Sequence, residues 1–171
     1  MDDRELWQRI REKDASAFDD LYRTYGAGLR GFLKQLIGNR QAAEDVAQET
    51  FAAIWEHPNG FDPELGTIRS YVFGAGRKRA AEWWRRQKPE SNATSEMVGE
   101  CRAETQSLIG NAFQKLPVEQ RTLLWLREVE GHSYAELAVI LEIPEGTVRS
   151  RLFTARNALK QVWHATRQKE G

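Results

Sequence analysis

Residues 133–161 constrain the fold of this chain more than any other segment, because they contain two helical patterns separated by a tight break. Leu137, Ala138 and Leu141 give the first pattern an apolar stripe with helical spacing. Pro144 then interrupts the pattern, since the residue before a proline is pushed out of helical geometry. The segment therefore predicts two helices that face each other across a short turn.

The second of these helices combines an apolar stripe with a basic, polar outer face. Its apolar positions recur every three or four residues: Val148, Leu152, Ala155 and Leu159. The side chains that we expect to read DNA lie between them: Thr147, Arg149, Ser150, Phe153, Thr154 and Arg156. A helix that buries one stripe and presents Arg, Ser and Thr on the other suits the major groove of duplex DNA. The alternative is an ordinary helical hairpin whose basic face is only solvated.

The formal net charge of zero hides a strong segregation of charge along the chain. Residues 1–68 hold 8 basic against 13 acidic side chains, and residues 89–144 hold 4 against 9. Residues 69–88 hold 7 basic against 1 acidic side chain, and residues 145–171 hold 6 against 2. The two basic blocks predict two surfaces for nucleic-acid phosphates, whereas the acidic blocks favour contact with a protein partner.

The first basic block coincides with a helix that we predict from about residue 67 to 86. Cationic and aromatic side chains are interleaved along it, a pattern that suits single-stranded nucleic acid because cations pair with the backbone while bases stack on rings. The candidate contacts in this helix and in the loop before it are Phe61, Arg69, Tyr71, Arg77 and Lys78. The alternative for the rings is that they pack the core of a small helical domain.

A third candidate surface lies on a helix predicted from about residue 40 to 56. Asp45, Gln48 and Glu49 are three and four residues apart, so they share one side of a helix whose other side is apolar. Paired carboxylates can perform acid–base chemistry, but nothing in the sequence beside them offers burial, a metal site or a nucleophile. Taken alone, this face is either a binding surface or simply solvated.

Helical spacing dominates the chain and alternating strand patterns are nearly absent, so the predicted fold class is all-α. Two small helical domains are predicted, residues 1–87 and 104–171, and the second contains the helix-turn-helix. Residues 88–103 between them are rich in Ser, Asn and Glu, which predicts a flexible linker.

Glycines interrupt the long helix that we predict to begin after a cap at Asp14 or Ser16 and to end near Ile37. They stand at three positions: Gly26, Gly28 and Gly31. Each glycine costs roughly 1 kcal/mol relative to Ala inside a helix. Close packing against a neighbouring helix is the expected compensation.

Several function classes find no support in the sequence. Cys101 is the only cysteine, which excludes an intramolecular disulfide and fits a reducing compartment. The chain has neither an apolar run that spans a bilayer nor the apolar core of a signal peptide, so we expect a cytoplasmic protein without membrane insertion. The three histidines are far apart, which predicts surface or loop positions and no metal site. With no phosphate-binding loop and no Ser/His/Asp arrangement, we expect no cofactor and no enzymatic activity.

In combination these motifs resemble a bacterial RNA polymerase sigma factor of the extracytoplasmic-function branch, over about residues 15–163. Residues 17–22 and 43–51 are similar to region two, with which the family grips the β′ coiled coil of core polymerase. Residues 68–77 match the helix that, with the preceding loop, takes the melted −10 element. Residues 116–160 resemble region four, whose helix-turn-helix reads the −35 element and whose first part docks on the β flap.

The resemblance implies a role for each candidate surface. The face with Asp45, Gln48 and Glu49 would contact core polymerase, the first basic block would take −10 DNA, and the final helix would read −35 DNA. The implied function is promoter-specific initiation of transcription, and the implied partners are core polymerase, promoter DNA and an anti-sigma factor.

Four positions depart from the pattern of many relatives, which have Trp at Tyr71, Asn at Lys78, Gly at Glu142 and Arg at Thr154. The family's promoter consensus therefore does not transfer directly to this chain. The alternative function is a stand-alone helix-turn-helix regulator. A receiver domain on such a regulator would need a parallel βα pattern, which residues 1–86 lack, and an RNA-modifying enzyme would need a catalytic constellation.

Overall fold

The computed structural model describes residues 2–87 and 108–169, and every regular element in these two ranges is helical. The all-α fold class predicted from the sequence is therefore confirmed. The predicted linker over residues 88–103, which includes Cys101, lies outside the described residues.

Residues 2–87 form the N-terminal half. Its helices are α1 (Asp3–Arg11), α2 (Ala15–Ile37), α3 (Arg40–Glu56) and α4 (Ile68–Gln87), with a 3-10 turn at Pro58–Gly60. Asp14 caps α2 as predicted, because its carboxylate accepts hydrogen bonds from the amides of Ser16 and Ala17. Gly38 ends α2 with a left-handed φ of 78°, a conformation that glycine adopts without strain.

The helices α2, α3 and α4 pack against one another around aliphatic and aromatic side chains. Phe32 of α2 meets Phe73 of α4 with ring centroids 5.8 Å apart. One side of α3 packs into this core through the buried side chains of Val46, Ala47 and Thr50. The opposite side of α3 consequently faces outward.

Residues 108–169 form the C-terminal half. Its elements are α5 (Leu108–Gln114), α6 (Val118–Leu124), a π-helical turn (Trp125–Val129), α7 (Tyr134–Leu141) and α8 (Glu145–Lys169). Ser133 and Glu136 form a capping box that starts α7. Glu142 ends α7 in the left-handed region at φ 56°, so that α8 can cross α7 after a short turn.

The predicted helix-turn-helix is present, with one difference in the buried positions of its first helix. Leu137 and Ile140 are the buried side chains of α7, whereas Leu141 is only half-buried. Ile140 is buried because α7 also packs on α4, a contact that the spacing within one helix does not reveal. On α8, Val148, Leu152 and Ala155 are buried as predicted, and Leu159 is half-buried.

The two halves contact each other directly. Helix α4 packs on α7, and α2 packs on α6 and on the π-helical turn, so that one apolar cluster runs through both halves. A Cβ added to Gly31 of α2 would lie 3.2 Å from the ring of Trp125, which confirms the close packing predicted at this glycine. The division into domains at residues 1–87 and 104–171 stays a prediction.

Candidate nucleic-acid and polymerase interfaces

The outer side of α8 brings four of the predicted DNA-reading side chains together. Arg149, Ser150, Phe153 and Thr154 lie on two successive turns, and all four are exposed. Phe153 is 70% exposed, so its ring is available for apolar contact with the methyl group of a thymine. This surface has the dimensions of one helix face and fits a major groove.

Contacts within the C-terminal half orient this surface. The hydroxyl of Ser150 donates to the carbonyl of Thr147 at 3.0 Å, and the hydroxyl of Thr154 donates to the carbonyl of Ser150 at 3.1 Å. The guanidinium of Arg149 lies 5.6 Å from the ring centroid of Tyr134, within the range of a cation–π contact. The first two turns of α8 therefore present their polar groups in an ordered arrangement.

Arg156 and Thr147 differ from the other predicted residues of α8. The guanidinium of Arg156 donates two hydrogen bonds to one carboxylate oxygen of Glu128, at 2.7 and 3.1 Å, and this interaction raises the pKa of Arg156. Thr147 is half-buried under the turn. Arg156 accordingly lies at the flank of the surface, where a paired carboxylate reduces its attraction for phosphate.

Aromatic packing partly covers the predicted single-strand surface near α4. Phe61 is only 9% exposed and Tyr71 is half-buried, and their ring centroids lie 4.9 and 5.2 Å from that of Trp7. Burial raises the pKa of the Tyr71 phenol. Trp7 also donates from Nε1 to the carbonyl of Pro58 at 2.8 Å. In this structure Phe61 thus supports the loop before α4 from within.

Trp7 was missed by sequence reasoning as a residue of this site. The available signal was its position three residues before Ile10, on the apolar stripe of α1. That stripe predicts burial but does not say which loop the ring will support, because the contact spans more than fifty residues.

Two cations of α4, Arg77 and Lys78, lie beside the C-terminal half. The ammonium of Lys78 lies 3.1 Å from a carboxylate oxygen of Glu142, and both side chains are largely exposed. Arg77 and Lys78 line a cavity of about 680 Å³ together with Ser150 and Thr154 of α8. The structure thus brings residues of the two predicted DNA surfaces to one cavity, which the sequence did not indicate.

A buried histidine lies where the halves meet. His132, predicted as a surface or loop residue, is in a loop but is fully buried beneath Phe73, with ring centroids 4.5 Å apart. Burial lowers the pKa of His132 to about 4, and Arg69 lowers it as well, against the opposing effect of Glu136. The Nδ1 atom lies 3.4 Å from Glu136, while Nε2 has no hydrogen-bond partner among the described residues. The carboxylate of Glu136 also accepts from the hydroxyl of Thr67 at 3.2 Å.

The outer side of α3 carries the predicted polymerase contacts. Asp45, Gln48 and Glu49 are all exposed and lie together, as the helical spacing predicted. Gln41 donates to the carboxylate of Asp45 at 3.1 Å, within the same helix. Within the described residues these three side chains form no ion pair, so the carboxylates of Asp45 and Glu49 are available to a partner.

Helix α2 adds two side chains to this surface: Tyr22, which lies in the segment predicted to resemble region two but was not predicted as a contact, and Arg30, which sequence reasoning missed. Tyr22 is 40% exposed, and its hydroxyl accepts a hydrogen bond from the guanidinium of Arg30 at 3.1 Å. Both residues line a cavity of about 240 Å³ with Gln48 and Glu44 of α3. The spacing within one helix could not predict this groove, because it forms between two helices.

The described parts of the chain contain neither a metal-binding cluster nor a membrane-spanning helix. No cluster of three or more His, Cys, Asp or Glu side chains in residues 2–87 and 108–169 has a geometry that could hold a metal ion. Within the same ranges, no helix is both long and apolar enough to cross a bilayer. The exposed surfaces instead carry guanidinium, hydroxyl, amide and carboxylate groups, which suit recognition.

Two family models match consecutive parts of the chain. Residues 21–90 match Sigma-70 region 2, and this range contains the acidic face of α3 and all of α4. Residues 106–159 match Sigma-70 region 4, and this range contains the helix-turn-helix.

Curated proteins match over nearly the full length. The RNA polymerase sigma-H factor of Pseudomonas aeruginosa is 30% identical over 179 residues, which cover 94% of this chain and 93% of that protein. The ECF RNA polymerase sigma factor RpoE of Cereibacter sphaeroides is 28% identical over 167 residues, which cover 91% of this chain and 92% of the relative.

Solved structures support the same fold. CnrH in complex with the cytosolic domain of CnrY matches with a TM-score of 0.72 at 23% identity, covering 95% of this chain and 97% of that one. The sigma factor RpoE of Bartonella quintana, in complex with the anti-sigma factor NepR, matches with a TM-score of 0.67 at 23% identity. That match covers 85% of this chain and 95% of the RpoE chain.

Proposed function

The chain belongs to the extracytoplasmic-function sigma factors of bacterial RNA polymerase, and we propose how it divides that role among its surfaces. One observation carries the proposal: a single chain combines an exposed acidic face with two polar and basic surfaces, on α4 and on α8, that suit nucleic acid. A stand-alone regulator needs only the helix-turn-helix. It requires neither the acidic face of α3 nor the basic block of α4.

The acidic face of α3 is proposed to hold the β′ coiled coil of core polymerase. Asp45 and Glu49 supply charge, and Gln48 supplies an amide that can donate and accept hydrogen bonds. The groove with Tyr22 and Arg30 lies beside them and adds an aromatic surface to the contact. Because the acidic groups are exposed, they contribute mainly to the rate and specificity of docking.

The basic block of α4 is proposed to take the melted −10 strand. Arg69, Arg77 and Lys78 supply positive charge for the phosphates, and Tyr71 supplies a ring on which a base can stack. Phe61 belongs to the same surface in this proposal, and its burial against Trp7 means that the loop must rearrange before the ring meets a base.

The start of α8 is proposed to read duplex −35 DNA. Arg149 can make a bidentate contact with a guanine, while Ser150 and Thr154 can bond bases or phosphates. Phe153 provides the apolar contact, Thr147 lies under the turn, and Arg156 contributes at the edge of the surface. The first part of the C-terminal half is proposed to dock on the β flap.

The proposal also includes a regulatory partner and a compartment. Because one matched solved structure is a sigma factor bound to an anti-sigma factor, and CnrH in the other is likewise bound to a second protein, we infer an anti-sigma partner for this chain. Its site of action is the cytoplasm, where core polymerase initiates transcription. In this role the chain binds and positions other molecules and performs no catalysis itself.

Reconstituted transcription tests the proposal. Core polymerase with this protein should initiate at a specific subset of a promoter library, whereas core polymerase alone should initiate at none of them. Adding the protein to a holoenzyme that already holds another sigma factor is the matched comparison, because a stand-alone regulator would act only there. Equal initiation by core polymerase with and without the protein, across the library, would rule the proposal out.

A further inference from the structure

We propose that α1 positions the loop before α4 and thereby sets how selectively that loop takes the bases of the −10 strand. Trp7 is the central positioning residue, and the loop, residues 57–67, is called the −10 loop below. Helix α1 covers Asp3–Arg11, whereas the match to Sigma-70 region 2 begins only at residue 21. The inference rests on the proposed function, because it assumes that this loop and α4 take the melted strand.

Trp7 holds the first part of the −10 loop. Its buried indole donates from Nε1 to the carbonyl of Pro58 at 2.8 Å, and its ring packs on Phe61 with centroids 4.9 Å apart. A buried N–H is costly to leave unpaired, so this hydrogen bond specifies where the loop backbone lies. An apolar contact alone would let the loop slide over the ring.

Tyr71 of α4 supports the same part of the loop. A Cβ added to Gly60 would collide with the hydroxyl of Tyr71, so the loop backbone passes close over the phenol. The ring centroid of Tyr71 lies 5.2 Å from that of Trp7 and 5.7 Å from that of Phe61. The three rings form one cluster that joins α1, the −10 loop and the helix that carries the basic block.

Two polar side chains of α1 hold the last part of the loop. The carboxylate of Asp3 accepts from the amide of Ile68 at 2.9 Å, at the first residue of α4. Arg4 donates to Glu64 at 2.6 Å, but this pair is exposed and contributes little. An acceptor at a helix N-terminus, in contrast, satisfies an amide that has no partner within the helix. Asp3 is therefore the anchor at this end of the loop.

The anchored loop directs its tip outward. The amide of Glu64 donates to the Asp62 carboxylate at 2.9 Å, and Leu65 is 73% exposed. With both ends of the loop held by α1, a rotation of the Phe61 side chain toward a base leaves the anchored backbone in place. A loop of fixed shape distinguishes bases better than one that adapts to each of them. Helix α1 therefore acts on selectivity without contacting DNA.

Hydrogen exchange of the free chain tests the anchoring. Trp7→Phe keeps a ring but removes the N–H donor, so the amides of Glu64, Leu65 and Ile68 should exchange at least fivefold faster. Ile10→Ala is the matched control, because it truncates another buried side chain of α1 that can form neither a hydrogen bond nor a ring contact. Equal exchange of these amides in wild type and Trp7→Phe, or an equal acceleration in Ile10→Ala, would overturn the anchoring.

Base selectivity is measured on holoenzymes assembled with each variant. They are titrated with single-stranded −10 oligonucleotides that differ at one base, and the readout is the ratio of Kd values between the weakest and the tightest base. Partial unfolding changes the active fraction but not this ratio. Trp7→Phe and Asp3→Ala should each narrow the ratio at least threefold at one or more positions, and Ile10→Ala should leave it unchanged.

The outcomes separate the inference from the function on which it rests. Unchanged ratios for Trp7→Phe would refute its positioning role, and if that variant does not fold, the ratios of Asp3→Ala decide the question. If wild-type protein with core polymerase prefers no base and initiates at no promoter, the proposed function is wrong. Hydrogen exchange of the free chain then still shows whether α1 anchors the loop.

Discussion

Glu142 occupies a backbone conformation that few side chains tolerate. Its φ of 56° and ψ of 44° lie in the left-handed region, where a Cβ approaches the following carbonyl oxygen. The side chain nevertheless contributes an ion pair with Lys78, and both partners are largely exposed. An exposed pair of this kind is worth about 0 to 1 kcal/mol, so at this residue strain and pairing oppose each other.

Replacement of Glu142 separates the two effects. Glu142→Gln removes the ion pair and keeps the strain, whereas Glu142→Gly removes both. We therefore expect the Gly variant to exceed the Gln variant by about 1 kcal/mol in free energy of unfolding, because only glycine adopts the left-handed region without penalty. Denaturant titration of the two variants measures this difference, and equal midpoints with equal slopes would contradict it.

Helix α3 allows the polymerase contact to be tested at the scale of one element. Reversing both charges with Asp45→Arg and Glu49→Arg should weaken binding to core polymerase at least tenfold, because both carboxylates are exposed on the proposed docking face. Helical content by circular dichroism should be unchanged. Affinity is measured by titrating labelled protein with core polymerase.

The matched control changes the same net charge on another helix. Glu5→Arg with Glu12→Arg reverses two exposed acidic residues, Glu5 within α1 and Glu12 at its C-cap. If this variant loses as much affinity as the α3 variant, overall charge and not the face of α3 governs docking.

Mutations in α4 and in α8 should impair different steps of transcription initiation. Arg149→Ala should weaken −35 recognition by about 1 to 3 kcal/mol if the guanidinium makes a bidentate base contact. Lys78→Ala should impair opening or capture of the −10 strand. On a promoter already melted around −10, the Lys78 variant should recover and the Arg149 variant should not. Equal recovery of both holoenzymes in transcription assays would overturn this division of labour.

The order and bounds of most helices were predictable because their signals are local. The cap at Asp14, the glycine after Ile37 and the break around Pro58 act within a few residues. The π-helical turn was not predictable, since Trp125 and its neighbours carry no local signal for the wider turn. It follows α6 directly and lies against α2, which links its geometry to tertiary packing.

The candidate sites were predictable only where one helix supplies all the residues. Asp45, Gln48 and Glu49 share a face because of helical spacing, and the structure agrees. The roles of Tyr22, Trp7 and His132 depend on contacts between distant segments. No periodicity in a single sequence specifies such contacts.

The stability of the folded chain should depend on pH through the protonation of His132. Burial holds its pKa near 4 in the folded chain, with a further lowering from Arg69, whereas an unfolded histidine titrates near 6.5. Between these values only the unfolded chain takes up the proton, so stability is full above about pH 6.5 and falls as the pH drops toward 4. The loss should reach up to about 3 kcal/mol.

Denaturant unfolding at several pH values between 7 and 4 measures this loss. Wild type and His132→Gln are compared in how their free energies of unfolding change with pH, and not in their absolute stabilities. The variant should lack most of the decline above pH 4.5. Glu136 affects stability only below that range. Burial raises the pKa of its carboxyl, but the hydrogen bond from the amide of Ser133 and the charges of His132 and Arg69 together hold that pKa below its usual value. Parallel profiles for the two proteins would exclude His132 as the cause.

Arg121 gives the junction between the halves an unusual thermal character. Its guanidinium is 3% exposed and donates to the carbonyl of Gln35 on α2, and also to those of Gln114 and Leu116 in its own half. Separation of the halves would return this cation to water together with the apolar groups around it. Apolar hydration raises the heat capacity and polar hydration lowers it, so the two contributions offset each other. The enthalpy of separating the halves should therefore change little with temperature.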